Sequence, residues 1–350
     1  MINVGDIGIC LDAVNSPSRL HELERSLGDL VALGYRLVEI DPTPFALIVN
    51  GEIHRPQLDN FLAVIRNFDL RYSVHGLMRL NLAFDPRYVL CRRIMACQIE
   101  ICRAMEAKTL VYHSGLQALD AVRHGVRPSL LTDAELAEGA QREVEAFRDL
   151  AHLAADAGVT IGMENGDPHL WEYTVITQHG GQHSHISKHH ARLLVGPIVQ
   201  QLEAIAMGNV GLTLDIGHLY IAAHELGFDY LEAVREASPW VKHLHVSDNF
   251  GRVDGGFDAE PDRWAFGEAD IHMPPGWGSI PYVDVLNRLP EYTGDLILEI
   301  KPPFRDHLGP ALGTMRSILD RLEAGCVSSS VLKGSSMLHS APPRMPTDTD

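Results

Sequence analysis

Short apolar runs alternate with longer amphipathic stretches along most of the chain. The runs occupy 4–11, 35–40, 70–75, 109–113, 159–164, 210–215, 241–246 and 296–300. Their near-continuous apolar content is the pattern of strands covered on both faces of a parallel sheet. Between them, 19–33, 56–68, 86–106, 132–157, about 190–207, 218–237, 282–289 and 308–323 read as helices. The stretch 132–157 opens on a Thr-Asp cap signal and is rich in strong helix formers. Gly158 follows it, a residue suited to the left-handed turn that ends a helix. Strict alternation of eight strands with eight helices predicts an α/β fold. The expectation is a single (β/α)8 TIM barrel over 1–324, not an open doubly wound sheet.

Two segments break the rhythm. Residues 166–190 are expected to form a long loop after the fifth strand, of the kind that often serves as a lid. Residues 325–350, rich in Ser, Pro and Thr, are expected to be a disordered tail.

Composition narrows the class. The 350 residues are 45% hydrophobic, enough for a large core. No apolar run approaches the roughly 18 residues that a membrane helix needs, so no membrane partner is expected. The opening MINVGDIGICLD reads as a strand, not a signal peptide, and the five cysteines are scattered with no CxxC pair. Both features predict a cytoplasmic protein without a disulfide framework or a thiolate zinc site. The net charge of −17 counts against a nucleic-acid partner, because duplex binders draw most of their affinity from neutralising phosphates. The first strand is not followed by GxGxxG, which removes the simplest dinucleotide-binding reading.

The chemistry gathers at the strand ends, where barrel enzymes build their sites. Strand three ends in SVHG (His75), strand four in VYHSG (His113) and strand five in GMENGD (Glu164). Strand six ends in TLDIGH (Asp215, His218), strand seven in HLHVSDN (His245) and strand eight in LILEIKP (Glu299). One histidine at a strand end is commonly structural. Six strands in succession delivering His, Asp or Glu to one rim is a different matter, because carboxylates that close repel unless a cation relieves them. Mixed imidazole and carboxylate ligands suit Zn²⁺, Mn²⁺, Fe²⁺ or Co²⁺. After strand seven, Asp270-Ile-His272 places two further ligand-type side chains on one side of an extended loop. The histidines at 179, 183, 185, 189 and 190 lack such register, and a solvated polar loop explains them better.

These residues, in this order, resemble the xylose isomerase-like TIM-barrel superfamily, which includes sugar isomerases and epimerases as well as endonuclease IV. The likeness runs from about 4 to 323 and is carried by SVHGLMRLNLAF, VYHSG, MEN, LDIGH, HLHVSDN, DIHMPPGWGSI and LEIKP. It implies one divalent metal held by Glu164, Asp215, His245 and Glu299. It also implies proton exchange by Glu164 and Glu299, and a sugar or sugar-derived substrate. His218 and Arg252 are candidates for binding substrate hydroxyls. The endonuclease branch adds positions filled here by His75, His113, His218, Asp270 and His272, so up to three metals could be held. That alternative implies a multi-zinc phosphodiester hydrolase; a catalytically silent metabolite-binding barrel is a third. HGLM, with Met78, stands where those nucleases carry HAPY, and with the acidic charge this favours the isomerase or epimerase. Homo-oligomers are common among such relatives.

Overall fold

The structure is a computed structural model that describes residues 2–11, 19–256 and 260–328. Eight parallel strands close into a barrel: β1 (Ile7–Cys10), β2 (Leu37–Ile40), β3 (Arg71–His75), β4 (Thr109–His113), β5 (Thr160–Glu164), β6 (Val210–Asp215), β7 (Val241–Val246) and β8 (Leu296–Leu298). Neighbours in sequence are neighbours in the sheet, and β8 pairs with β1 (Ile7 beside Leu296, Ile9 beside Leu298) to shut it. The principal helices are α1 (Leu20–Ala32), α2 (Arg55–Ile65), α3 (Tyr88–Met105), α4 (Asp133–Asp156), α5 (Leu170–Gln178), α6 (Val195–Ile205), α7 (Ile216–Leu226), α8 (Tyr230–Ala237), α9 (Glu260–Phe266), α10 (Tyr282–Asn287) and α11 (Leu308–Ser328). Burial explains the apolar runs: all six residues of β6 and all four of β2 are buried. The helices contribute one stripe each. In α4, Val144, Phe147, Leu150, Ala151 and Ala154 recur at helical spacing and are buried. Its start is a capping box, with Glu135 N donating to Thr132 Oγ1 and Thr132 N donating to Glu135 Oε2.

Four expectations need correcting. The segment 166–190 is largely helical: it holds α5, a further turn at Ile186–His189 and a 3-10 turn at His183–His185. The helix expected over 218–237 is two helices. Gly227 sits at φ +74°, which a side chain would strain, and Asp229 then caps α8 by accepting from Glu232 N (3.0 Å). The first and last strands are shorter than their apolar runs, although Glu299 N still donates to Val246 O (2.9 Å) beyond β8. The last helix, expected over 308–323, continues to Ser328. Residues 329–350, where the rest of the disordered tail was expected, lie outside the described residues. Among the described residues, no helix is long and apolar enough to cross a membrane.

Candidate metal centre

Strand register brings the predicted residues to one level. His113 is the lateral partner of Glu164, and Asp215 of His245. An irregularity in the β6–β7 ladder skips Lys242, so Leu212 faces Val241 while Thr213 faces His243. Such a skip re-aims the side chains that follow.

At the centre stand Glu164, Asp215, His245 and Glu299, all buried, each offering one ligand atom within 4.8 Å of the others. His245 Nδ1 lies 2.8 Å from Glu164 Oε1 and 3.4 Å from Glu299 Oε1. Asp215 divides its carboxylate: Oδ1 accepts from His218 N (2.7 Å) at the start of α7, while Oδ2 is buried with no hydrogen-bond donor. Asn165 locks the strand ends together. Its side chain donates to Asp215 O and accepts from Asp215 N, both at 2.9 Å.

Two further groups flank this centre. On one side His75, His113 and Glu164 converge, with His113 Nε2 3.1 Å from Glu164 Oε2. On the other, His218, Asp270 and His272 converge: His218 Nε2 is 3.3 Å from Asp270 Oδ2, and His272 Nε2 contacts the same oxygen. His218 Nδ1 is 3.1 Å from Asn165 O, an arrangement that orients the ring. The D-x-H loop is held by Lys301, whose Nζ donates to Asp270 O (2.7 Å) and whose N donates to His272 O (3.1 Å). All nine acidic and imidazole positions singled out from sequence therefore assemble at one mouth. Arg252 stands apart. It is exposed and donates to Phe266 O (2.8 Å), and among the described residues no hydrogen bond or ion pair joins it to the cluster.

The electrostatics are those of a site short of positive charge. Burial would raise the Glu164 carboxyl, but His113 and His245 beside it hold it well below the usual carboxylate range. Asp215 is pushed up to about 7 by burial; His218 opposes this, and Glu299 and Asp270 add to it. Burial pushes His113 down to about 3 against the pull of Glu164, which leaves it the neutral imidazole that a metal requires. Asp270 Oδ1, like Asp215 Oδ2, is buried with no hydrogen-bond donor. Acceptors left bare in a protein interior are costly unless a cation takes them. By donor chemistry and by these bare oxygens, the residues present fit a divalent metal of the Zn²⁺, Mn²⁺, Fe²⁺ or Co²⁺ class.

The sequence reading passed over a layer beneath the ligands. Glu39 on β2, fully buried, accepts from Ser73 Oγ (2.9 Å) and faces His243 and His245. A carboxylate inside the apolar run LVEI was its only signal, and HLH on β7 put both imidazoles on one face by the period of two. Asp248 was passed over as well. Buried after β7, it accepts from the backbone of Asn249 (3.0 Å), Gly276 (2.8 Å) and Ile280 (3.3 Å). It thereby fixes the turn that carries Trp277. At Gly278 an added Cβ would lie 2.3 Å from Asn249 O, so that turn closes only around glycine.

Comparison with known proteins agrees with this architecture. A family model described as xylose isomerase-like TIM barrel matches residues 27–318. The chain belongs to that family. Among solved structures of the same fold, a D-tagatose 3-epimerase-like protein is 18% identical with a TM-score of 0.62, covering 92% of this chain and 100% of that one. An L-ribulose 3-epimerase is 15% identical at a TM-score of 0.58, covering 94% and 97%. The 3-keto-D-glucoside 4-epimerase of E. coli is 14% identical at 0.60, covering 89% and 99%. An uncharacterized protein of Methanocaldococcus jannaschii is 24% identical over 153 residues. That match spans 44% of this chain and 40% of that protein, well under two thirds of its length.

Proposed function

We propose that this chain is a divalent-metal-dependent sugar isomerase or epimerase, built as one barrel over 1–324 and working in the cytoplasm on a small sugar-like substrate. One observation carries the reading: carboxylates from β5 and the end of β8 meet at a single nitrogen, His245 Nδ1, with Asp215 alongside. A metal bound there supplies Lewis-acid polarisation of a carbonyl and so acidifies the neighbouring C–H. Glu164 and Glu299 are assigned as the pair that takes and returns the proton. Asp215 and His245 are assigned to complete the ligand set, and His218, whose Nδ1 is 3.1 Å from Asn165 O, is assigned to bind a substrate hydroxyl. The names of the three solved epimerases support a sugar substrate.

The test is to load the protein in turn with Mn²⁺, Zn²⁺, Co²⁺ and Fe²⁺ and incubate it with a panel of ketoses in deuterated water. Deuterium entering the carbon beside the carbonyl, with a new isomer formed, is the expected result. No exchange with any metal and ketose would overturn the assignment.

A second reading rests on the two flanking triads, which give the mouth enough ligands for a multi-zinc hydrolase. Metal analysis separates the two: about one ion per chain agrees with the isomerase, and about three zinc ions with cleavage of an abasic-site duplex agree with the hydrolase. Failure to hold any metal would leave the catalytically silent binder.

A further inference from the structure

Glu39 lies beneath the centre, with an oxygen within 4.8 Å of one from Glu299, and sits at the crossing of three strands. It lies on β2, and its partners come from β3 and β7, the latter 204 positions away in sequence. Oε2 accepts from Ser73 Oγ at 2.9 Å and is 2.9 Å from His243 Nε2. Oε1 is 2.9 Å from His245 Nε2 as an ion-pair contact, and neither of these two buried atoms has a hydrogen-bond partner elsewhere. All four side chains are buried. The carboxylate is therefore ringed by three possible donors, which suits an ionised group that accepts and nothing else.

A neutral imidazole has one proton and one lone pair, on opposite nitrogens. His245 Nδ1 is the nitrogen that faces Glu164 and Glu299 (2.8 and 3.4 Å), so a ligand lone pair belongs there and the proton belongs on Nε2. From these distances we infer that Glu39 is a positioning residue, which holds the Nε2 proton of His245 and so fixes the tautomer and ring plane in which Nδ1 binds metal. His243 and Ser73 act one step further back by anchoring the other oxygen of Glu39. The His243 ring packs edge-on against His245 (5.4 Å between centroids, 72° between planes), which limits rotation of the ligand ring. Carboxylate partners of metal-bound histidines raise ligand basicity and fix orientation in this way. The inference rests on the metal-centre reading above, and it adds a residue that never touches substrate.

The experiment measures Zn²⁺ affinity of the full chain by competition with a chromophoric chelator, without substrate. Wild-type protein should bind Zn²⁺, and Glu39→Gln should weaken binding roughly 10–100-fold. In ¹⁵N-edited spectra of the zinc-loaded protein, the His245 Nε2–H should resonate far downfield and move upfield in the variant. Glu39→Gln that melts like wild type and binds Zn²⁺ equally well would overturn the proposal. Should Glu39→Gln fail to fold, Ser73→Ala and His243→Gln take its place. Each is expected to weaken binding by about threefold or more, less than loss of Glu39 because each acts one step further from the ring, and unchanged affinity in both would also overturn it. Wild-type protein that binds no Zn²⁺ sinks the metal-centre reading itself, an outcome distinct from failure of the Glu39 assignment.

Discussion

At the carboxyl mouth of the barrel, imidazoles from β3, β4, β7, the first turn of α7 and one loop each stand within 4.0 Å of a carboxylate, and those carboxylates are shared. The segment 179–190 carries five histidines in twelve residues, and they share nothing. His179 Nδ1 meets Val175 O at 2.8 Å, and His185 Nδ1 accepts from Gln182 N at 3.2 Å. His190, buried, lies between Glu172 (2.7 Å) and Arg192, whose Nε donates to it at 2.9 Å. The two regions are alike in composition and opposite in consequence. In one, side chains from distant strands present lone pairs to a common point; in the other, His179, His185 and His190 each meet a separate local partner. Convergence of lone pairs, not the number of histidines, separates a metal centre from a histidine-rich segment.

The contrast can be broken most severely at its centre. Glu164→Gln removes both the proposed ligand and the proposed base, and turnover should fall by about 10²–10⁴-fold or more. Steady-state assay on whichever ketose exchanges deuterium checks this; unchanged activity refutes the site. In the other region, Glu172→Ala should act on stability alone. Leaving the buried His190 N–H without its acceptor costs on the order of 2 kcal/mol, read as a lower denaturant midpoint, with metal content as in wild type. A drop in metal content would join the two regions that the comparison keeps apart.

Glu143 sharpens the contrast from a third position. Like Glu164 it is fully buried, but its partners are Tyr112 Oη (2.7 Å) and Gly115 N (2.6 Å), with no imidazole. Burial pushes its carboxyl from an ordinary 4.5 up to about 7 against those hydrogen bonds. A carboxyl that holds its proton more tightly when folded stabilises fully below pH 4.5, and that stability is lost as pH rises toward 7. The stability curve of wild type relative to Glu143→Gln should fall across that window, by on the order of 3 kcal/mol, and be flat above it. A flat difference throughout would place Glu143 among the ionised carboxylates. The smallest effect is expected at the edge of the centre. His272→Ala should lower metal affinity or activity roughly tenfold, as loss of an outer partner does. Normal values for both would return the Asp270–His272 loop to a purely structural role.

The barrel was legible because its strands are buried on both faces and its helices on one, so period and length separated them. Legibility failed where burial is not one-sided. The sequence of α5, LWEYTVITQ, is apolar around much of its circumference and contains four β-branched residues, so it presents no stripe. The break between α7 and α8 was written in Gly227 and Asp229, but the apolar period continues across them and masked the turn. For the site, residues at strand ends could be found because barrel geometry assigns that rim to chemistry. Glu39 could not, because its meaning lies in partners on other strands and a single charged residue in an apolar run does not name them. Arg252 shows the converse, a residue placed in the right loop by sequence whose guanidinium is engaged by Phe266 O.

Asp248 gathers the backbone amides of the turn around Trp277 before any ligand arrives. The conformational entropy of that segment is accordingly surrendered when the chain folds, and association need not be charged with it again. The turn that follows the Asp270–His272 loop is thus settled in advance, and any rearrangement on binding falls to other segments.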